Sequence, residues 1–153
     1  MADNSTADEK WFSAISWSTP HAVETLRRGG ANRDLVPRAP GVYAFTLFDA
    51  PITLGRKLGV LYIGKATTLR SRMKAYMVDP ASLSITGRTG ELSTSLKHAG
   101  KVNVLVAIQQ RSRGTAPSGI FYRWAVTNDE AEARRLELLL LNYLQPGLNT
   151  ADL

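Results

Sequence analysis

Residues 61–76 read LYIGKATTLRSRMKAY, and this stretch decides how the chain is organised. Val60 to Ile63 is β-branched and aromatic, as a buried strand requires, and Gly64 ends it. Thr67 or Thr68 can cap a helix over about 69–77. At about 100° per residue, Leu69, Arg72, Met73 and Tyr76 fall on one face of that helix, while Arg70 and Lys74 form a basic row beside it. Strand, glycine and helix thus follow in one short run, and the helix carries an arginine on its apolar side.

Upstream, Pro37, Pro40 and Gly41 make a tight entry into VYAFTLF at residues 42–48, a second strand by composition. Residues 49–59 contain Pro51, Gly55 and Gly59 and read as a loop, so the two strands most simply pair antiparallel. Thr19 as N-cap with Pro20 at the first helical position predicts a helix to about Arg28, closed by Gly29 and Gly30. With a frayed tail at 1–9 and a short helix over 9–15, residues 1–34 read as a helical lead-in packed on a main domain at 35–153.

Downstream, residues 79–89 read as loop, 90–99 as a helix, and 102–108 and 120–126 as strands of a second hairpin around a basic loop at 111–119. Thr127-Asn128-Asp129-Glu130 predicts a capping box, with threonine as the cap. The helix it starts runs over 129–144 with Ala133, Leu136, Leu140 and Leu144 as its apolar stripe, and Pro146-Gly147 stops it. The fold class expected is α/β of the α+β type: a small, mainly antiparallel sheet of three to four strands flanked by helices. There is no internal repeat.

At 153 residues, 44% hydrophobic and 21% charged, the chain suits one soluble globular domain. The absence of cysteine excludes disulfides, thiolate zinc sites and cysteine nucleophiles. His21 and His98 are too few and too far apart for a histidine cluster, so a metal site leans on carboxylates and favours a hard cation such as magnesium or manganese. Residues 1–10 lack the pattern of a signal peptide, and no apolar run approaches membrane-spanning length. The expectation is no membrane and, by default, the cytoplasm. The net charge is +6, and between residues 51 and 78 lie Arg56, Lys57, Lys65, Arg70, Arg72 and Lys74 without one acid. Such a segment is suited to phosphate contacts; the alternative is a solvated face.

Two charges sit where packing alone does not want them. Glu137 lies on the shoulder of the leucine stripe, where a carboxylate costs several kcal/mol unless paired or metal-bound. It is either a ligand or a snorkelling residue paired with Arg134. Arg72 needs a fixed anionic partner, which is either Glu137 itself or a substrate phosphate held bidentately. From the residues alone, Tyr76 reads more readily as plain core, and Tyr43 and Tyr62 as cross-strand aromatics.

The stretches VPRAPGVYAF, LYIGKATTLRSRMKAY and LELLLLNYLQPGLN, in this order, resemble the GIY-YIG nuclease superfamily, most of all the nuclease module at the N-terminus of bacterial excision-repair subunits. The resemblance covers about residues 37–149. It implies the GIY-YIG fold, divalent-metal-dependent hydrolysis of DNA phosphodiester bonds, and one Mg2+ or Mn2+ ion held by Glu137. It further implies motif tyrosines at Tyr43 and Tyr62, a lysine at Lys65, the catalytic arginine at Arg72, the helix tyrosine at Tyr76, and a bracing asparagine at Asn149, twelve residues after Glu137. Tyr43 is then the expected general base, with Lys65 and the metal favouring its phenolate. The nucleic-acid-binding set expected is Arg56, Lys57, Lys65, Arg70, Arg72, Lys74, Arg111 and Arg113 on DNA, duplex or branched. A homodimer is a natural way to cut both strands. The span from Tyr43 to Tyr62 is longer than in the repair module, so an extended loop is expected at 49–59. The further domains of a full repair subunit have no counterpart here, so a role other than complete excision subunit is expected. Two other readings are a non-catalytic nucleic-acid-binding module of the same fold and a structural or interaction domain in which Arg72 and Glu137 simply pair.

Overall fold

The computed structural model describes residues 7–27, 34–53, 59–76 and 120–146. The helix expected at 90–99 and the strand at 102–108 lie outside these residues, as do Arg56, Lys57, Arg111, Arg113 and Asn149. The described elements are α1 (Ala7–Ser13), β1 (His21–Ala22), α2 (Val23–Arg27), β2 (Gly41–Thr46), β3 (Val60–Ala66), α3 (Leu69–Tyr76), β4 (Phe121–Val126) and α4 (Glu130–Leu144).

The strands form one antiparallel sheet in the order β1-β4-β2-β3. This is the small antiparallel sheet flanked by helices expected of the sequence. β2 is central, and all six of its residues are buried. Its pairing with β3 is the expected antiparallel one, Gly41 opposite Ala66 and Tyr43 opposite Gly64. A bulge leaves Leu61 unmatched, since Phe45 pairs with Tyr62 but Thr46 with Val60. The extra residue resets the alternation, so Val60 and Tyr62 face opposite sides of the sheet.

Each face has its own core. Tyr43, Phe45, Tyr62, Tyr122 and Trp124 meet Leu69, Met73 and Tyr76 of α3 and Val23 and Leu26 of α2. On the other face Val42, Ala44, Val60, Ile63 and Ala125 meet Leu140 and Leu144 of α4, with Phe12 of α1. Trp11 and Phe12 also pack on Tyr143, which ties α1 to α4. Arg123 is buried on the α4 side, where its guanidinium donates to the carbonyls of Phe48 and Ala50 and to Thr46 Oγ1, holding the turn that leaves β2.

Two local expectations need correcting. The helix does not begin at Thr19-Pro20: His21 and Ala22 pair with Tyr122 and Phe121, and α2 starts at Val23. The outer edge of β4 has backbone groups to satisfy, and Ser18, whose amide donates to the Trp124 carbonyl at 2.7 Å, begins that coverage. A cap contributes about 1 kcal/mol and is outweighed by this ladder. The cap of α4 is Asp129, not Thr127: Asp129 Oδ1 accepts from the Glu132 amide at 2.8 Å. Thr127 is instead held by the end of β4, its amide donating to Pro40 and its hydroxyl to the Asp129 carbonyl. At α3, Thr68 stands at the expected cap position, its carbonyl accepting from the Arg72 amide at 3.1 Å, and the amides of Leu69 and Arg70 donate to the carbonyls of Ala39 and Pro37. α4 ends at Gln145 in the left-handed conformation (φ 46°), and Pro146 follows, which cannot continue the helix.

A candidate active site at the edge of the sheet

The alternation of β2 and β3 places Tyr43 and Tyr62 on the α3 side, and α3 adds Tyr76 one turn after Arg72. The three rings lie 5.6 to 6.5 Å apart by centroid. The hydroxyls of Tyr43 and Tyr76 hydrogen-bond at 2.8 Å, buried. Two glycines make this possible. A Cβ on Gly64, directly across from Tyr43, would collide with the Tyr43 ring and hydroxyl. A Cβ on Gly41 would strike the Ala125 carbonyl and come within 2.8 Å of Leu69 Cδ1, prising α3 off the sheet. The glycines of the two short motifs are thus spacers for the tyrosine and the helix.

Burial is uneven across the cluster. Tyr43 is 1% exposed and Tyr76 is fully covered, whereas Tyr62 keeps 9%. Desolvation pushes all three phenols above their ordinary range, with Tyr43 and Tyr76 furthest. At Tyr43 the negative charge of a neighbouring phenolate at Tyr62 would add to this, while the Tyr76 hydrogen bond and the Arg72 guanidinium work against it. The cation acting on Tyr43 is therefore Arg72, not Lys65 as the sequence suggested.

Lys65 faces the other way. It sits opposite Val42, on the α4 side, with its ammonium 3.6 Å from Glu130. Glu137, half-buried on α4, lies close to both the Lys65 ammonium and its backbone amide. Burial raises the Glu137 carboxyl above its usual range, and Lys65, Arg134 and Arg72 restrain the rise. Arg72 is also half-buried. It acts electrostatically on Tyr43, Tyr62 and Glu137, yet no ion pair joins it to Glu137 among the described residues. The site thus straddles β3, the outermost strand of the described sheet. Tyrosines and arginine come from one face, and carboxylate and lysine from the other.

Among the described residues no three His, Asp or Glu side chains come together, so a cation caged by the protein does not fit. One half-buried carboxylate beside phenolic oxygens does fit a hard cation that keeps most of its water. Of the cationic residues expected to meet nucleic acid, Lys74 is exposed on α3, and Lys65 and Arg72 lie in the site. Arg70 is different. Its Nε donates to the Val36 carbonyl at 2.7 Å, one terminal nitrogen donates to the Asp34 carbonyl at 2.8 Å, and the other lies 3.9 Å from the Asp34 carboxylate. That guanidinium holds residues 34–36 against α3. Sequence reasoning missed Glu130 as the partner of Lys65, and it missed Tyr122. The latter packs 5.8 Å from Tyr43, but its place in FYRWAV has meaning only once β4 is registered against β2.

Comparison with known proteins agrees with this architecture. Residues 36–152 match the model of the GIY-YIG domain-containing proteins. UvrABC system protein C of Mycobacterium tuberculosis is 34% identical over 114 residues, 74% of this chain. The same protein of Saccharopolyspora erythraea is 31% identical over 114 residues, again 74% of the chain. This chain covers only 12% and 11% of those proteins, respectively. The GIY-YIG N-terminal endonuclease domain of UvrC from Thermotoga maritima, bound to its catalytic magnesium, is 22% identical, with 83% of this chain and 98% of that domain aligned at a TM-score of 0.46. With that match running over most of its length, the chain belongs to the GIY-YIG domain family.

Proposed function

We propose that this chain is a divalent-metal-dependent endonuclease that hydrolyses DNA phosphodiester bonds. The observation that carries the reading is the convergence of Arg72 and Glu137, from helices on opposite faces, on the same pair of tyrosines. Opposite charges left unpaired with each other beside buried hydroxyls are poor packing and good catalytic equipment. That the UvrC domain of Thermotoga maritima binds a catalytic magnesium supports the same direction.

Glu137 would hold one Mg2+ or Mn2+ ion, which when bound polarises the phosphate and adds positive charge beside the phenols. Arg72 then binds the phosphoryl oxygens and offsets the charge that grows on them. Tyr62, the hydroxyl nearest the surface, orients the attacking water or a phosphate oxygen by hydrogen bonding. Tyr43 would take the water's proton in its phenolate form, which burial opposes and which Arg72 and the charge of a bound cation would favour, with Tyr76 fixing its oxygen at 2.8 Å. Lys65, anchored by Glu130, favours the ionised form of Glu137. Asn149 is proposed to brace the site. Lys74, with Arg56, Lys57, Arg111 and Arg113, is proposed to contact the DNA backbone.

The test is cleavage of plasmid, single-stranded, branched and RNA substrates with magnesium, manganese or chelator. Metal-dependent nicking of DNA is expected. Salt-sensitive binding without nicking under either metal would establish a non-catalytic binding module instead.

A further inference from the structure

Tyr122 is fully buried on β4, and its hydroxyl has no hydrogen-bond partner among the described residues. A buried hydroxyl left unpaired is destabilising, and phenylalanine would fill the same space without that cost. The retained oxygen therefore needs a reason. Its ring lies 5.8 Å from Tyr43 at an angle of 31°, on the same face of the sheet, and 5.2 Å from Phe45. The charged or ionisable groups that its hydroxyl feels are Tyr43 and Arg72, both members of the site. The Tyr43 hydroxyl has capacity for another bond: a phenol donates once and accepts up to twice, and Tyr76 uses one of these positions.

We propose that Tyr122 is a positioning residue of the site, a fourth hydroxyl that orients the Tyr43 oxygen through one buried water. It acts through Tyr43 and does not touch substrate. The inference rests on the nuclease reading for its consequence in turnover, but the placement of the hydroxyl can be tested without cleavage.

Tyr122→Phe removes one oxygen and leaves the ring. The expected result is an unchanged or higher Tm, an unchanged Kd for duplex DNA, and a kcat lower by about tenfold with KM preserved. In the same variant, the protected hydroxyl-proton resonance of Tyr43, assigned by its loss in Tyr43→Phe, should shift. An unchanged kcat and an unmoved resonance, with Tm raised, would make the oxygen a packing defect and overturn the proposal. A variant that loses its fold would make Tyr122 a structural anchor and overturn it equally. If the wild-type chain cuts nothing, the nuclease reading has failed, and the resonance alone decides this one: shifted supports the placement, unmoved removes it.

Discussion

On the α4 face of the sheet, Val42, Ala44, Val60, Ile63 and Ala125 meet Leu140 and Leu144 in a core whose fully buried members are aliphatic but for Phe12, with Trp11, Trp17, Phe48 and Tyr143 at its rim. On the α3 face the same strands present Tyr43, Tyr62, Tyr122 and Trp124 to Tyr76 and Met73. The buried charge on the α4 face, Arg123, is spent on the carbonyls of the turn after β2. The α3 face buries four phenolic oxygens, of which only some are hydrogen-bonded, and each costs desolvation. One sheet therefore divides its work by face. The α4 side supplies stability, the tyrosine side is proposed to supply chemistry, and Glu137 is the α4 residue whose charge reaches Tyr43 and Tyr62.

Substitutions should respect that division. Leu140→Ala removes a fully buried side chain from the aliphatic core and should cost about 2–5 kcal/mol by denaturant unfolding, with turnover per folded molecule unchanged. A matching loss of turnover would mean that the two faces are not separable. Gly64→Ala acts on the tyrosine face. The new methyl meets the Tyr43 ring and hydroxyl, so a loss of about 1–3 kcal/mol together with a fall in turnover is expected. Retention of full activity would show that Tyr43 can move without consequence.

The smallest effect is also the most diagnostic of sign. Burial raises the Glu137 carboxyl, so the folded chain binds that proton more tightly than the unfolded chain does. Stability from this group is therefore present at low pH and lost as pH rises through the raised range. In metal-free buffer at neutral pH, Glu137→Gln should raise Tm slightly, and the gap should close as pH falls below the ordinary carboxylate range. A Tm lowered at neutral pH would mean that Lys65 and Arg72 outweigh desolvation.

Much of this was legible in the residues. The β2–β3 hairpin, the helix after it and the leucine stripe of α4 follow from local period and composition, and Arg72 and Glu137 stood out because charge interrupts those periods. What was not legible depends on partners distant in the chain. His21-Ala22 is a strand only because the β4 edge runs beside it. Asp129 displaces Thr127 as the cap because Thr127 is held by Pro40. Arg70 and Lys65 look alike in a basic run, yet one is bound to residues 34–36 and the other to Glu130. Tyr122 joins the site through a cross-strand register with Phe45, far from it in the chain.

The central claim is that Glu137 and Arg72 are equipment for cleavage rather than for folding. The measurement that tests it most directly is single-turnover cleavage of duplex DNA in magnesium by Glu137→Ala and Arg72→Ala, alongside wild type, with duplex affinity and Tm measured on the same samples. A rate loss on the order of 10² to 10³ is expected in each variant, with both proteins folded and Glu137→Ala still bound to DNA. Wild-type rates in folded Glu137→Ala would contradict it.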